Sequence, residues 1–177
     1  QTWHYALIAA TAAVYWVLFF ASRRLVIWLS PHMAKKAPHD KDMLSAMIRW
    51  PSQLNCVVSV VLGVYLITYD TALRADRVYG QSTLASVLMC FACGYFVFDF
   101  MHTFYDFQGY AFLVHAVLCT SVYGGALKPF LQYYGACFLI FETSTFWMNA
   151  AWYARFVLDW HKDSRGVKTL KGIFAVS

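Results

Sequence analysis

Apolar positions along the chain come in long blocks separated by short polar segments. The first block runs from about Trp3 to Ser22 and is closed by Arg23-Arg24. A polar connector, Ser30 to Asp42, carries Pro31, Pro38 and the pair Lys35-Lys36. Further apolar blocks cover about 50–69, 84–105, 110–127 and 130–153, divided by the polar loop Asp70–Ser82, the turn Asp106–Gly109 and Pro129. A bilayer-spanning helix needs about 20 mostly apolar residues, and these blocks meet that length. The pattern predicts an all-α, polytopic membrane helix bundle with five spans. Positive charges follow the first block instead of preceding it, so that block reads as a membrane helix and not as a cleaved leader. Pro51 is expected in the first turn of the second helix, where its missing N–H costs nothing.

The polar tail from Arg155 to Lys171 ends in Gly172-Ile-Phe-Ala-Val-Ser177, which reads as the start of a sixth helix. With Gln1 as its first residue, the chain is expected to be processed or C-terminally incomplete, a single domain over 1–177.

Composition narrows the class. Of the 177 residues, 60% are hydrophobic, 19% aromatic and 13% charged, against about 25% charged in a soluble domain. That excludes a nucleic-acid module, a secreted disulfide scaffold and a soluble nucleotide-binding enzyme. The five cysteines, Cys56, Cys90, Cys93, Cys119 and Cys137, lie within apolar blocks and read as free thiols.

The net charge of +5 matters through its placement. Arg23, Arg24, Lys35, Lys36, Lys41 and Arg49 follow the first span; Arg155, Lys162, Arg165, Lys168 and Lys171 follow the fifth. Only Arg74, Arg77 and Lys128 fall on the other side. Cytoplasmic loops collect Lys and Arg, which predicts a cytoplasmic 23–49 segment and a lumenal or exterior N-terminus.

Ionisable groups at bilayer depth are costly, about 2.5–3.5 kcal/mol each on insertion scales, so their positions select candidate site residues. The third span carries Tyr95, Asp99, His102 and Asp106 at spacings of four, three and four, along one helical face. The fourth carries His115. The fifth carries Glu142, Thr145, Asn149 and Trp152, again along one face. Asp99 and His115 lie eight residues either side of Phe107, at matching depth in an antiparallel hairpin, which permits a hydrogen bond between them. Asp99, His102, His115, Glu142, Thr145, Asn149 and Trp152 are the candidate lipid-binding set. Thr145, Asn149, Ser52 and Ser59 also fit simple interhelical hydrogen bonding. A metal site from Asp99, His102 and His115 lacks close ligand spacing, and no metal or cofactor is expected. Haem or chlorophyll ligation by His102 or His115 is a remote variant. The aromatic residues divide between interfacial belts (Trp3, Trp50, Tyr69, Tyr153) and apolar walls (Phe96, Phe98, Phe138, Trp147).

The run Ser86–Asp99, ending Gly94-Tyr95-Phe96-Val97-Phe98-Asp99, followed by His115 and then Glu142-Thr143-Ser144-Thr145-Phe146-Trp147-Met148-Asn149, resembles the TLC domain of the translocation-associated, longevity-assurance and ceroid-lipofuscinosis families. Trp50-Pro51-Ser52, Tyr65, Asp70 and Asp76 fit as well. The resemblance covers about Lys41 to Tyr153 and points to the small TLC-domain-containing transmembrane proteins over the ceramide synthases. It implies six or more helices around a lipid-accessible cavity in the endoplasmic reticulum or another endomembrane. It departs from the ceramide synthases in three ways: Ala116 follows His115 where they carry a second histidine, Glu142 has no second carboxylate nearby, and Ser59 replaces a histidine that many relatives place on the second helix.

These features lead to a protein that binds membrane lipid (sphingolipid, phospholipid or sterol) and influences lipid composition or trafficking. Two alternatives stand beside it: a lipid acyltransferase using His115 as base or acyl carrier, and a structural subunit assembled with other membrane chains.

Overall fold

The computed structural model describes residues 2–107, 109–128 and 130–156, together with residues 165, 166, 168, 169 and 172. The candidate start of a sixth helix, apart from Gly172, and His161 lie outside the described residues. The elements are α1 (Thr2–Leu29), a 3-10 turn (Pro31–Lys35), α2 (Lys41–Tyr69), α3 (Thr71–Ala75), α4 (Thr83–Tyr105), α5 (Tyr110–Gly125), α6 (Gln132–Ile140) and α7 (Thr143–Phe156). No strand occurs among the described residues, as the all-α reading requires. α1, α2 and α4 are each long and apolar enough to cross a membrane. Large apolar side chains including Val17, Phe20, Val61, Leu118 and Phe138 are exposed, a surface suited to lipid and not to water.

Two elements differ from the sequence expectation. α2 begins at Lys41, not near Trp50, because the Asp40 carboxylate caps it, accepting the backbone N–H of Asp42 at 2.9 Å. At 29 residues and 1.5 Å rise, α2 is about 43 Å long, more than the ~30 Å hydrocarbon core. Pro51 therefore lies inside the helix and not in its first turn. A proline there cannot donate to the carbonyl four residues back, which is that of Met47. The buried Ser22 hydroxyl of α1 reaches into the gap, sharing its one proton between Met47 O at 3.0 Å and Phe19 O of its own helix at 2.6 Å. The second difference is in the stretch 130–153, which forms two helices, α6 and α7, separated at Phe141-Glu142.

The chain forms two compact units. One comprises residues 1–16 and 58–140, the other residues 17–57 and 141–177. The first is organised on α4, most of whose residues are buried. Gly94 lets α1 approach closely: a Cβ there would stand 2.7 Å from Thr11 Cβ and 2.8 Å from Ile8 O, the small-residue contact common between membrane helices. Tyr15 packs on Phe91, Tyr95 and Phe98, and Phe96 stacks on Tyr123 of α5 with ring centroids 5.3 Å apart. Ser82 caps α4, Asp70 caps α3, and Gly109, at φ 120°, makes the turn into α5 that a side chain would strain.

In the second unit the end of α1, the start of α2 and α7 come together. Tyr153 donates to Ala46 O at 2.6 Å and its ring lies edge-on to Trp50. The Cys56 thiol donates to Glu142 O at 2.9 Å, holding the start of α7 against α2.

Candidate functional site

The seven sequence-selected residues divide between the two units. In the first, Asp99 is half-buried on α4. His102 is buried, with the rings of Trp16, Phe98 and Tyr105 about 6 Å away, centroid to centroid. His115 is exposed on α5; its ring meets Phe96 edge-on, and its Nδ1 lies 3.8 Å from the Cys119 sulfur, one turn on. The five cysteines are free thiols. No group of three or more His, Cys, Asp or Glu placed to hold a metal ion occurs among the described residues.

The second unit gathers the other four. Thr145 Oγ1 donates to Glu142 Oε2 at 3.1 Å, closing the first turn of α7. One turn further, Asn149 is buried and connected on all sides. Its Oδ1 accepts from Arg49 Nη1 at 2.8 Å, while its Nδ2 donates to Ser52 Oγ at 3.3 Å and Gln53 Oε1 at 3.2 Å. Trp152 follows at i+3, and the Arg49 guanidinium lies over its ring, 4.5 Å from the centroid. A polar face of α7 therefore meets a polar face of α2.

That meeting borders a cavity of about 270 Å3. Leu29 of α1, Arg49, Trp50 and Gln53 of α2, and Asn149, Ala150 and Tyr153 of α7 line it. A second cavity of about 310 Å3 lies between Leu18, Ala21, Ser22 and Leu25 of α1 and Trp50 and Leu54 of α2. Trp50 belongs to both walls. The Ser22 hydroxyl is turned to main-chain carbonyls, and both cavities offer almost only hydrocarbon.

Arg49 carries a charge and has no carboxylate partner among the described residues, whose ion pairs are those of Lys36 with Asp40 and Asp42. Its Nε is buried with no hydrogen-bond partner among the described residues. Nη1 is the guanidinium nitrogen that Asn149 engages.

Arg49 and Gln53 were not among the sequence-selected residues; Arg49 had been grouped with the basic loop. The signal was present all the same. Arg49, Ser52, Gln53 and Cys56 are spaced i, i+3, i+4 and i+7, one helical face, but the expected helix start near Trp50 cut the stripe off from its first member.

Comparison with known proteins places these features in a family. The sequence profile described as the TLC domain matches residues 45–177. An uncharacterized TLC domain-containing protein of Schizosaccharomyces pombe is 28% identical over 148 residues, covering 82% of this chain and 50% of the relative. One from Saccharomyces cerevisiae is 30% identical over 131 residues, 67% of this chain and 41% of the relative. Human TLC domain-containing protein 4 is 26% identical over 163 residues, 85% of this chain and 61% of the relative. The chain thus spans about half the length of the curated relatives it matches. No solved structure matches.

Proposed function

Since the chain belongs to the TLC-domain family, whose setting is the membrane, we propose that it binds a membrane lipid in the α2–α7 cavity and acts through that binding on membrane lipid composition or trafficking. The observation that carries the reading is a pair of cavities in the second unit that share Trp50 and present almost only apolar surface, one of them with Arg49, Gln53 and Asn149 among its lining residues. Such walls suit the hydrocarbon of an amphiphile. At about 270 Å3, the first cavity lies at the small end of ligand pockets, which run about 300–1,000 Å3, a size suited to part of a lipid. Asn149 lines this site, the Trp152 ring lies under the Arg49 guanidinium, and Thr145 and Glu142 set the turn of α7 that precedes them. Asp99, His102 and His115 are not among the described residues that line it.

Under this reading the work is binding and no covalent step is required. An endomembrane location, which the family resemblance implies, and a cytoplasmic position for the Arg49 end of α2, which the charge distribution implies, belong to the same proposal. The test is native mass spectrometry of protein released from lipid nanodiscs. The wild type should carry lipid through mild activation, while Ala150→Trp and the gentler Ala150→Leu, which fill the cavity, should lose it in order of side-chain volume. Equal lipid retention by all three folded proteins would sink the proposal.

A further inference from the structure

The connection between α2 and α4 has the chemistry of a membrane boundary and not of a loop in water. We infer that this connection and the residues leading into α6 form one platform that beds in the headgroup layer of the bilayer. Its aromatic rings lie at the level of the glycerol esters, and Arg74, Arg77 and Lys128 meet lipid phosphates. None of these residues lines either cavity, so the platform stands apart from the lipid-binding reading.

Three observations converge. The segment is at the right level. α2 and α4 are both long and apolar enough to cross a membrane, and the 29 residues of α2, about 43 Å, match a bilayer with its headgroups, about 40–45 Å. Its last residue, Tyr69, then falls in the headgroup layer, and the short helix α3 follows at once. Leu73 of α3 is buried, and Arg74 Nη1 donates back to Thr68 O at 3.0 Å, which ties the segment to the end of α2.

The surface is aromatic. Tyr65, Tyr69, Tyr79, Phe130 and Tyr134 are exposed, Tyr69 at 67% and Tyr79 at 65%. A tyrosine ring is apolar across its face and polar at its tip, and such side chains collect where hydrocarbon gives way to headgroups. The two stretches make one surface: Leu131 N donates to Val78 O at 2.7 Å, and the Tyr79 and Phe130 ring centroids are 6.0 Å apart.

The charge is complementary to phosphate. Arg74, Arg77 and Lys128 are exposed and have no carboxylate partner among the described residues. The two acids of the connection are turned to the main chain. Asp70 accepts from Leu73 N at 3.0 Å, and Asp76 accepts from Val78 N and Tyr79 N at 2.9 Å. The Arg77 guanidinium lies 5.1 Å from the centroid of the Tyr133 ring, which sets a cation beside the aromatic group. Phosphate is the anion that such cations meet at a bilayer surface.

The test places a single trifluoromethyl-phenylalanine at position 79 or 130 of the chain, with Val57, exposed near the middle of α2, labelled as the hydrocarbon reference. Fluorine relaxation is read in phosphatidylcholine nanodiscs with a nitroxide near the lipid headgroup, at the end of the acyl chain, or on a water-soluble carrier. At 79 and 130 the headgroup nitroxide should relax the label severalfold more than either of the others. Arg74→Gln combined with Arg77→Gln should shift the label at 79 severalfold toward the water-soluble probe, while the corresponding lysine pair should stay near wild type. Stronger relaxation by the water-soluble nitroxide at both positions overturns the inference, since the segment would then be a loop in water. Dominance of the chain-end nitroxide overturns it as well, and so does weak relaxation by all three, which a covering protein would give. An unchanged label in the double glutamine variant overturns the part given to the cations; if that variant does not fold, Lys128→Gln read at 130 decides the same point. Filling the cavity with Ala150→Trp should leave every one of these readings as in wild type, so the platform and the lipid-binding reading fail separately.

Discussion

Replacing Ser22 by alanine removes a hydroxyl that donates to the carbonyl Pro51 leaves open in α2. The donor stands 3.0 Å from Met47 O and is buried. A buried backbone acceptor deprived of its partner costs about 1–3 kcal/mol, and interhelical hydrogen bonds in a membrane protein average nearer ~0.6 kcal/mol. Ser22→Ala should therefore destabilise the protein by about 1 kcal/mol. The decisive measurement is a double-mutant cycle with Pro51→Ala. An alanine at 51 restores the N–H that reaches Met47 O within the helix, so the Ser22 hydroxyl becomes redundant there. In that background Ser22→Ala should cost less than ~0.5 kcal/mol, leaving a coupling of about 0.5–1 kcal/mol. Reversible unfolding in mixed micelles, with helicity followed as denaturing detergent is titrated, supplies the four stabilities. An equal cost for Ser22→Ala with and without proline at 51 would refute the reasoning, because Ser22 would then matter through some contact other than the bared carbonyl.

Further expectations concern packing, the site and pH. Gly94→Ala brings a Cβ to 2.7 Å from Thr11 Cβ and 2.8 Å from Ile8 O, so α1 must shift; a loss of about 1–3 kcal/mol is expected from the same unfolding assay. Asn149→Ala removes three hydrogen bonds and the carbonyl that orients Arg49; it should cost about 1–3 kcal/mol and weaken lipid retention with it. His115→Ala, at an exposed position on α5, should change stability by less than ~0.5 kcal/mol and leave lipid retention at wild-type level; abolished acyl transfer to a lipid acceptor by a folded His115→Ala protein would instead establish the acyltransferase alternative. In the α3–α4 connection, the backbone N–H groups of Tyr79 and Val78 hold the Asp76 carboxyl below its usual range. A depressed folded value means the turn is supported above the ordinary carboxylate pKa and loses that support as pH falls through the lowered value. Hydrogen exchange at Val78 and Tyr79 should therefore quicken with acid, relative to the intrinsic rate, in the wild type and show no such step in Asp76→Asn.

Much of the fold was written in the length of the apolar blocks. α1, α4 and α5 begin within a residue or so of their expected positions because an apolar stretch bounded by Ser82, Gly109 or the chain start has little choice of boundary. α2 was harder to place. Its first nine residues are polar enough to read as loop, and the Asp40 cap that starts the helix was not weighed against the proline that suggested a later beginning. The break at Phe141-Glu142 was invisible to hydropathy, since both halves are apolar and no proline or glycine marks it. In the site, periodicity put Asn149 and Trp152 on one face of α7 correctly, because spacing fixes faces within a helix. Spacing carries no information about which faces meet, and for that reason the depth match of Asp99 with His115 did not foretell that His115 lies against Phe96 and Cys119. Charge counting groups Arg49 with the loop cations, and its contacts with Asn149 and Trp152 are facts of three dimensions.

The central claim, that the α2–α7 face receives a lipid, is tested most directly by mapping where one lies. Protein in nanodiscs containing a phospholipid with a photoreactive group on its acyl chain should, after irradiation and proteolysis, show covalent adducts on segments 49–54 and 149–153, suppressed in Ala150→Trp. Adducts confined to outward apolar residues such as Val61, Leu118 and Phe138, unchanged by Ala150→Trp, would contradict it.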